Sequence, residues 1–93
     1  MLDIKQKKLK DFWDTNGRNN KSFTAFTSVL MRKLRMIEAA VVIEDLRIPP
    51  GNRLELLQGD RAGQYSIRVN EQFRLCFTWT ENGAKEIELI DYH

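Results

Sequence analysis

Apolar and polar residues alternate through the last third of the chain. The alternation runs from Tyr65 to Val69 and, after a polar break at residues 70–72, from Phe73 to Trp79. A period of two is typical of strands with one buried face. A three-residue loop at 70–72, or a five-residue loop of the same parity, pairs apolar with apolar side chains, which a two-residue loop would not do. The three-residue register also places Arg68 opposite Arg74, where like charges repel, so we expect an anionic group between them.

A second turn signal leads into the last strand. Residues 81–83, Glu-Asn-Gly, precede the apolar positions at 87–90, and the same parity argument predicts a three-residue loop with Gly83 in the left-handed conformation. Leu75 then faces Leu89. This register brings the end of the chain beside the start of the strand that carries Arg74. One sheet edge is therefore predicted to hold Arg74, Asp91, Tyr92 and His93.

The N-terminal half has the period of helices. A short edge strand is predicted at residues 2–4, followed by a short helix with an apolar stripe from Leu9 to Trp13. Ser22 is a reasonable N-cap for a longer helix, with apolar residues at spacings of three and four from Phe23 to Val41. We expect the aromatic residues of both helices to pack in the core rather than to stack on bases. Three basic residues lie off the longer apolar stripe: Arg32, Lys33 and Arg35.

The middle of the chain connects these two halves. The Pro-Pro-Gly sequence at residues 49–51 is a rigid break, Arg53–Gln58 resumes as a strand, and residues 59–63 turn the chain back. Helices followed by an antiparallel meander indicate the α+β class, with N-terminal helices on one face of a small sheet. The other face, which carries Arg68 and Arg74, is then expected to be exposed.

Composition narrows the class of protein. The 93 residues, 42% hydrophobic and 30% charged, are typical of one soluble globular domain spanning residues 1–93. The sequence lacks an apolar run long enough for a membrane span or a secretory signal, which favours the cytoplasm. Cys76 is the sole cysteine and has no partner at metal-ligand spacing, so neither a metal nor another cofactor is expected. A net charge of +2 is too mild to indicate nucleic-acid binding by itself.

Several of these stretches together resemble a known family. Pro50–Gly63, the strands that start at Tyr65 and Phe73, and the terminal Asp91-Tyr92-His93 are similar to the HigB branch of the RelE-type bacterial toxins. The resemblance implies a RelE-like fold and the toxin of a type II toxin–antitoxin system. It implies a ribosome-dependent mRNA endonuclease, an mRNA interferase that cuts message in the decoding site and inhibits translation and growth. The implied partners are the ribosome with its mRNA and a helix-turn-helix antitoxin of the HigA type, through which the complex would bind operator DNA.

The chemistry that the family implies requires a definite set of groups. Metal-free RNA cleavage uses the ribose 2′-hydroxyl as nucleophile, and it needs a base, an acid and positive charge for the developing phosphorane. We expect Arg74 to supply the charge. The resemblance makes His93 and Tyr92 the proton-transfer groups and Asp91 the base or orienter. Among the three, only His93 has an ordinary pKa, about 6.5, close to neutral pH.

Two positions depart from the family pattern. Gln58 stands where relatives carry a lysine that helps to neutralise the phosphate, and Glu55 stands where they can carry histidine. Gln58 can donate a hydrogen bond to RNA but supplies no charge. Either Arg61 or Arg68 then supplies that charge, or the enzyme is slow. We therefore assign Gln58, Arg61 and Arg68 to RNA binding.

Two other functions remain open at this point. A non-catalytic RNA-binding or ribosome-binding module would use the face of Arg68 and Arg74 to block translation without cutting. A protein-interaction domain would use the same arginines for an acidic peptide. RNA ends at defined codons after expression would separate cleavage from both.

Overall fold

A computed structural model describes residues 2–91 of the chain. Two α-helices come first, α1 (Lys7–Asp14) and α2 (Thr27–Ala39). Four strands follow in this part of the chain: β1 (Glu55–Leu56), β2 (Tyr65–Arg68), β3 (Phe73–Thr80) and β4 (Gly83–Asp91). They form one antiparallel sheet in chain order, so the predicted α+β arrangement is confirmed. Short 3₁₀ turns occupy Thr24–Phe26, Ile43–Arg47, Pro50–Asn52 and Gly59–Arg61.

The hydrophobic core lies between the helices and one face of the sheet. Each helix contributes residues three or four positions apart, because that spacing repeats on one face of a helix. The aromatic residues of the helices pack in or against this core, as predicted. The most deeply buried apolar side chains are Leu9, Phe12, Leu30, Leu34, Ile37, Ile67, Leu75, Phe77 and Ile87.

Helix α2 is shorter at both ends than the sequence predicts. It begins at Thr27 and not after Ser22, and it ends at Ala39, which leaves Val41 outside the helix and 83% exposed. The later start follows from aromatic packing. The Phe26 ring packs edge to face against Phe23, with 6.0 Å between ring centroids, and stacks on Phe73, with 4.9 Å between centroids. The chain therefore passes through a 3₁₀ turn before the helix begins.

The β2–β3 pairing follows the predicted register. Ile67 faces Leu75 and Arg68 faces Arg74. The polar break at residues 70–72 is the predicted loop, and the side chain of Asn70 closes it. The Asn70 Oδ1 accepts hydrogen bonds from the backbone N–H of Gln72 and of Phe73, both at 2.8 Å. Side-chain to backbone bonding of this kind is the reason asparagine favours turns.

The β3–β4 connection differs from the predicted three-residue loop. Thr80 pairs with Gly83, so the loop has two residues, although Gly83 has the predicted positive φ of 99°. The extra residue is taken up within β4 by a β-bulge, where Glu86 has a φ of 53°. Beyond the bulge Leu75 faces Leu89 as predicted. A two-residue loop with a one-residue bulge restores the same parity as a three-residue loop.

The N-terminal segment covers the outer edge of β4. Ile4 forms a parallel bridge with Ile87, which agrees with the predicted edge strand at residues 2–4. The Gln6 side chain continues this pairing, because its Nε2 donates to the Leu89 carbonyl at 3.1 Å and its Oε1 accepts from the Leu89 N–H at 2.7 Å. The strand that leads to Asp91 is thereby held from both sides.

The sheet face opposite the helices is not exposed, contrary to the prediction from the sequence. Four side chains on this face are buried: Ser66, Arg74, Cys76 and Glu88. Residues 53–64 lie over this face, since Arg74 bonds Arg53 and Glu88 bonds Arg61. This segment is held close by a bond from the Leu57 N–H to the Gln64 carbonyl at 2.7 Å and by the Arg61 guanidinium on Glu88. The predicted strand Arg53–Gln58 is reduced to β1, since Arg53 is left-handed and Gln58 begins a turn.

Residues 2–91 include no helix long and apolar enough to span a membrane.

Candidate functional site

Arg74 is a buried arginine with a fixed guanidinium. Its Nε donates to the Ser66 hydroxyl at 2.8 Å, and its Nη2 donates to the Arg53 carbonyl at 2.6 Å and to the Ser66 carbonyl at 3.3 Å. The side chain is 8% exposed, so the expectation of an exposed arginine is wrong. The acceptors belong to β2 and to the turn before β1. The alternation of residues along β3 could not predict these contacts, because they come from other parts of the chain. A guanidinium bonded in this way is held in one orientation.

Glu55 is a member of this site that the sequence did not predict. It faces Ser66 across the β1–β2 pair, and its Oε1 lies 3.2 Å from the Arg74 Nη2. Its side chain remains 53% exposed, whereas that of Arg74 is almost covered. Glu55 therefore places an accessible carboxylate beside Arg74, on the face where we expected an anion. The available signal was the departure from the family pattern at Glu55, a position where relatives can carry histidine.

Arg68 lies opposite Arg74, as the register predicts, and is half-buried. Its Nε donates to the Asn70 carbonyl at 3.2 Å. Its charge also reaches Lys33 of helix α2. Burial lowers the pKa of Lys33, and the charges of Arg32 and Arg68 lower it further. This end of the sheet therefore has a positive potential.

Arg61 is engaged within the protein. Its Nη1 donates to the Glu88 carboxylate at 2.8 Å and to the Gln64 side-chain carbonyl at 3.0 Å. The hydrogen bond to Glu88 raises the pKa of Arg61. Lys5 lies 4.0 Å from the same carboxylate. Arg61 thus forms an ion pair with Glu88 of β4, so much of its charge is balanced.

Gln58 and Cys76 occupy different environments. Gln58 is exposed and comes directly before the turn that carries Arg61. Cys76 is fully buried, and burial raises the pKa of its thiol. A buried protonated thiol is a poor nucleophile, so Cys76 serves as a small packing side chain.

The end of β4 brings Asp91 to the sheet edge where β3 begins. Asp91 faces Phe73 and accepts a hydrogen bond from the Gln72 Nε2 at 3.0 Å, whereas Ile90 faces Arg74. Because side chains alternate along a strand, Asp91 and Arg74 project to opposite faces. The other two tail residues assigned from the family pattern, Tyr92 and His93, lie outside the described residues.

The arrangement offers positive charge and a proton acceptor side by side. Arg74 and Arg68 can stabilise a phosphate, and Glu55 can accept a proton from a hydroxyl group bound near them. Residues 2–91 contain no group of three His, Cys, Asp or Glu side chains that could hold a metal ion. Positive charge beside a carboxylate suits acid–base and electrostatic chemistry.

Solved structures share the fold. Two structures of the YoeB–YefM toxin–antitoxin complex from Staphylococcus aureus each contain a chain that aligns with all of this one. The TM-scores are 0.63 and 0.59, with 19% and 17% sequence identity and 95% of the matched chain covered in both cases. At such low identity the likeness establishes a shared fold alone.

Sequence comparison defines the family more narrowly. The chain is 43% identical to Toxin HigB-1 of Vibrio cholerae over 83 residues, which cover 89% of this chain and 87% of that protein. It is 37% identical to an uncharacterised protein of Haemophilus influenzae, with 96% and 93% covered. A family model described as RelE-like toxin of type II toxin–antitoxin system HigB matches residues 2–93. The chain therefore belongs to the HigB family of RelE-like toxins.

Proposed function

We propose that this protein is a ribosome-dependent mRNA endonuclease that cleaves message in the decoding site and thereby stops translation. The observation that supports this most directly is the fixed guanidinium of Arg74 beside the accessible carboxylate of Glu55, in a chain of the HigB family. The two groups supply two of the three functions that metal-free RNA cleavage requires.

In the proposed mechanism the 2′-hydroxyl of the message attacks the adjacent phosphorus. Glu55 accepts the hydroxyl proton, and the charge of Arg74 stabilises the phosphorane as negative charge develops. The bond to the 5′-oxygen then breaks, and His93 or Tyr92 protonates the departing oxygen. Asp91 acts as an orienter of the tail, because its side chain projects to the other face from Arg74. The products are a 2′,3′-cyclic phosphate and a 5′-hydroxyl.

The remaining assignments concern RNA binding. Arg68 is the stronger candidate for holding the phosphate backbone, because the charge of Arg61 is already balanced by Glu88. Gln58 is exposed and can donate a hydrogen bond to RNA. We expect this set of contacts to be weak without the ribosome, because phosphate affinity depends on the number of available cations.

The proposed setting is the cytoplasm, where the toxin is held inactive by a helix-turn-helix antitoxin of the HigA type. The complex would bind operator DNA through the antitoxin. The solved structures with this fold contain YoeB together with its partner YefM, and membership in the HigB family points to an antitoxin partner here as well.

The test is cleavage of a defined mRNA on programmed ribosomes, with 5′ and 3′ ends mapped. We expect Arg74→Lys to lower the rate by about 10²- to 10³-fold, as when a transition-state hydrogen-bond donor is lost. Glu55→Gln and removal of His93 should each lower it by about 10²- to 10⁴-fold. Normal cleavage by the Glu55→Gln protein would remove Glu55 from the mechanism, and intact mRNA with the wild-type protein would reject the proposed function.

A non-catalytic module that binds RNA or the ribosome and blocks translation is the alternative. Two observations favour it: Gln58 is neutral, and Arg61 is paired with Glu88. This alternative predicts arrested ribosomes carrying uncut message, so the same end-mapping experiment separates the two functions.

A further inference from the structure

The carbonyl that receives Arg74 belongs to a residue in an unusual conformation. Arg53 has φ 46° and ψ 56°, the left-handed region, and its carbonyl oxygen accepts the Arg74 Nη2 at 2.6 Å. This conformation is strained for a residue with a side chain, so neighbouring contacts must hold it in place. The orientation of Arg74 therefore depends on whatever fixes the turn Pro50–Arg53.

Asn52 is the residue that fixes this turn. It is fully buried, and its Nδ2 donates to the Leu46 carbonyl at 3.1 Å and lies 3.7 Å from the Met36 sulfur. Its backbone N–H donates to the Pro49 carbonyl at 2.9 Å. The side chain of Asn52 thus joins the turn to helix α2 and to the segment before the turn.

Lys33 completes the connection from α2. It is 6% exposed, and its ammonium group donates to the Asn52 Oδ1. Among the described residues it forms no ion pair, and the neighbouring charges named above are those of Arg32 and Arg68. Burying an ammonium group that has no carboxylate partner is unfavourable unless the group is hydrogen-bonded. What Lys33 adds is a directional hydrogen bond to Asn52.

We propose that Lys33 and Asn52 are positioning residues, which orient the Arg74 guanidinium by holding the left-handed turn at Arg53. The connection runs from Lys33 to the Asn52 side chain, through the backbone to the Arg53 carbonyl, and from there to Arg74. The predicted effect of this positioning role on cleavage rests on the proposed function. Its effect on the Arg74 side chain is independent of that function.

The experiment uses the full chain and observes Arg74 directly. The Nε–Hε and Nη resonances of Arg74, assigned by comparison with Arg74→Lys, report its bonds to Ser66 and to Arg53. In Lys33→Met the Nη resonances should shift and exchange faster, and cleavage on ribosomes should fall by about 10- to 100-fold, as for a misplaced catalytic group. The melting temperature of each protein is measured alongside.

Arg32→Met is the matched control, since it removes one positive charge from the next position of α2, where the side chain is exposed. It should leave the Arg74 resonances unchanged. Lys33→Arg keeps a cationic donor and should restore part of the wild-type spectrum. Lys33→Gln, a neutral and shorter donor, provides a second test should the methionine variant fail to fold.

The outcomes separate the two proposals. Unchanged Arg74 resonances in a folded Lys33→Met or Lys33→Gln protein would overturn the positioning role. A changed Arg74 spectrum together with a wild-type protein that does not cut mRNA would support the positioning of Arg74 and reject the proposed function. The expected result is a folded Lys33→Met protein with altered Arg74 resonances and slow cleavage, whose melting temperature falls because the buried Asn52 Oδ1 loses its donor.

Discussion

The burial of Arg74 changes what its substitution is expected to do. An exposed arginine would contribute little to stability, but this guanidinium bonds Ser66 and the Arg53 carbonyl. We expect Arg74→Ala to lower the free energy of unfolding by about 1.5 to 3 kcal/mol, the range for hydrogen bonds to charged groups. Urea unfolding measures this. Arg32→Ala is the exposed control and should change stability by about 0.5 kcal/mol or less. Equal effects of the two substitutions would contradict the buried bonding.

Gln58 lacks the positive charge that a lysine supplies at this position in relatives. Gln58→Lys should raise the cleavage rate on ribosomes and steepen its dependence on salt, because it adds a cation for the phosphate backbone. Asn82→Lys is the matched control, since it adds the same charge in the exposed loop between β3 and β4, at the far end of the sheet from Arg74. An unchanged rate for Gln58→Lys would show that Arg68 or another group already supplies the charge.

A third prediction follows from the Cys76 thiol, whose pKa is raised by burial and only partly lowered again by Arg61 and Arg74. The folded state favours the protonated thiol. Its contribution to stability is therefore complete below the ordinary thiol pKa, about 8.5, and is lost as the pH rises through the higher folded value. The unfolding free energy of the wild type should fall more steeply above about pH 8.5 than that of Cys76→Ala. Parallel curves for the two proteins would refute this.

Among the secondary-structure elements, β4 gains two hydrogen bonds at its outer edge from the Gln6 side chain. Gln6→Ala removes both of its bonds to the Leu89 backbone and should weaken the strand that carries Asp91. We expect the Leu89 amide to exchange with solvent about 10-fold faster or more, equivalent to at least roughly 1.4 kcal/mol of local stability. Lys7→Ala, at the exposed neighbouring position, should leave this exchange rate unchanged. A Leu89 amide as protected in Gln6→Ala as in the wild type would show that β4 does not depend on this edge.

The strand register was predictable because it depends on local alternation and on the parity of each loop. Ile67 against Leu75 and Arg68 against Arg74 follow from neighbouring stretches of sequence. The sequence did not predict the β4 bulge at Glu86, because a two-residue loop with a bulge gives the same parity as a three-residue loop. The sequence also did not predict the late start of α2. Phe26 stacks on the distant Phe73, and this packing overrides the favourable N-cap residue Ser22.

The site was less predictable than the sheet. Its surroundings depend on contacts between residues far apart in sequence. Arg74 meets Arg53, 21 positions away, and Arg61 meets Glu88, 27 positions away. No alternation or motif along the chain links such pairs. The sequence could therefore indicate which side chains carry charge, but not that Glu55 lies beside one arginine and Glu88 neutralises another.

At the scale of the whole molecule, the charge is modest and divided. Residues 1–47 carry a net charge of +4 and residues 48–93 a net charge of −2. This surface, with few free cations near Arg74, offers little to hold a flexible RNA in line for attack. We predict that the purified protein cuts protein-free RNA at least about 10⁵-fold more slowly than ribosome-bound message, the lower range of effective molarities for well-held reactants. The comparison uses the same message with and without ribosomes, and comparable rates would contradict this prediction.

The bridge between Ile4 and Ile87 also bears on how the protein is made. The Gln6 and Leu89 groups that bond beside it are separated by 83 positions, so this edge cannot close until residues 86–89 have left the ribosome. Contacts of such long sequence separation form late, and β3 lacks its β4 partner until then. The β4 edge therefore closes only after both helices and the β2–β3 pair have been synthesised.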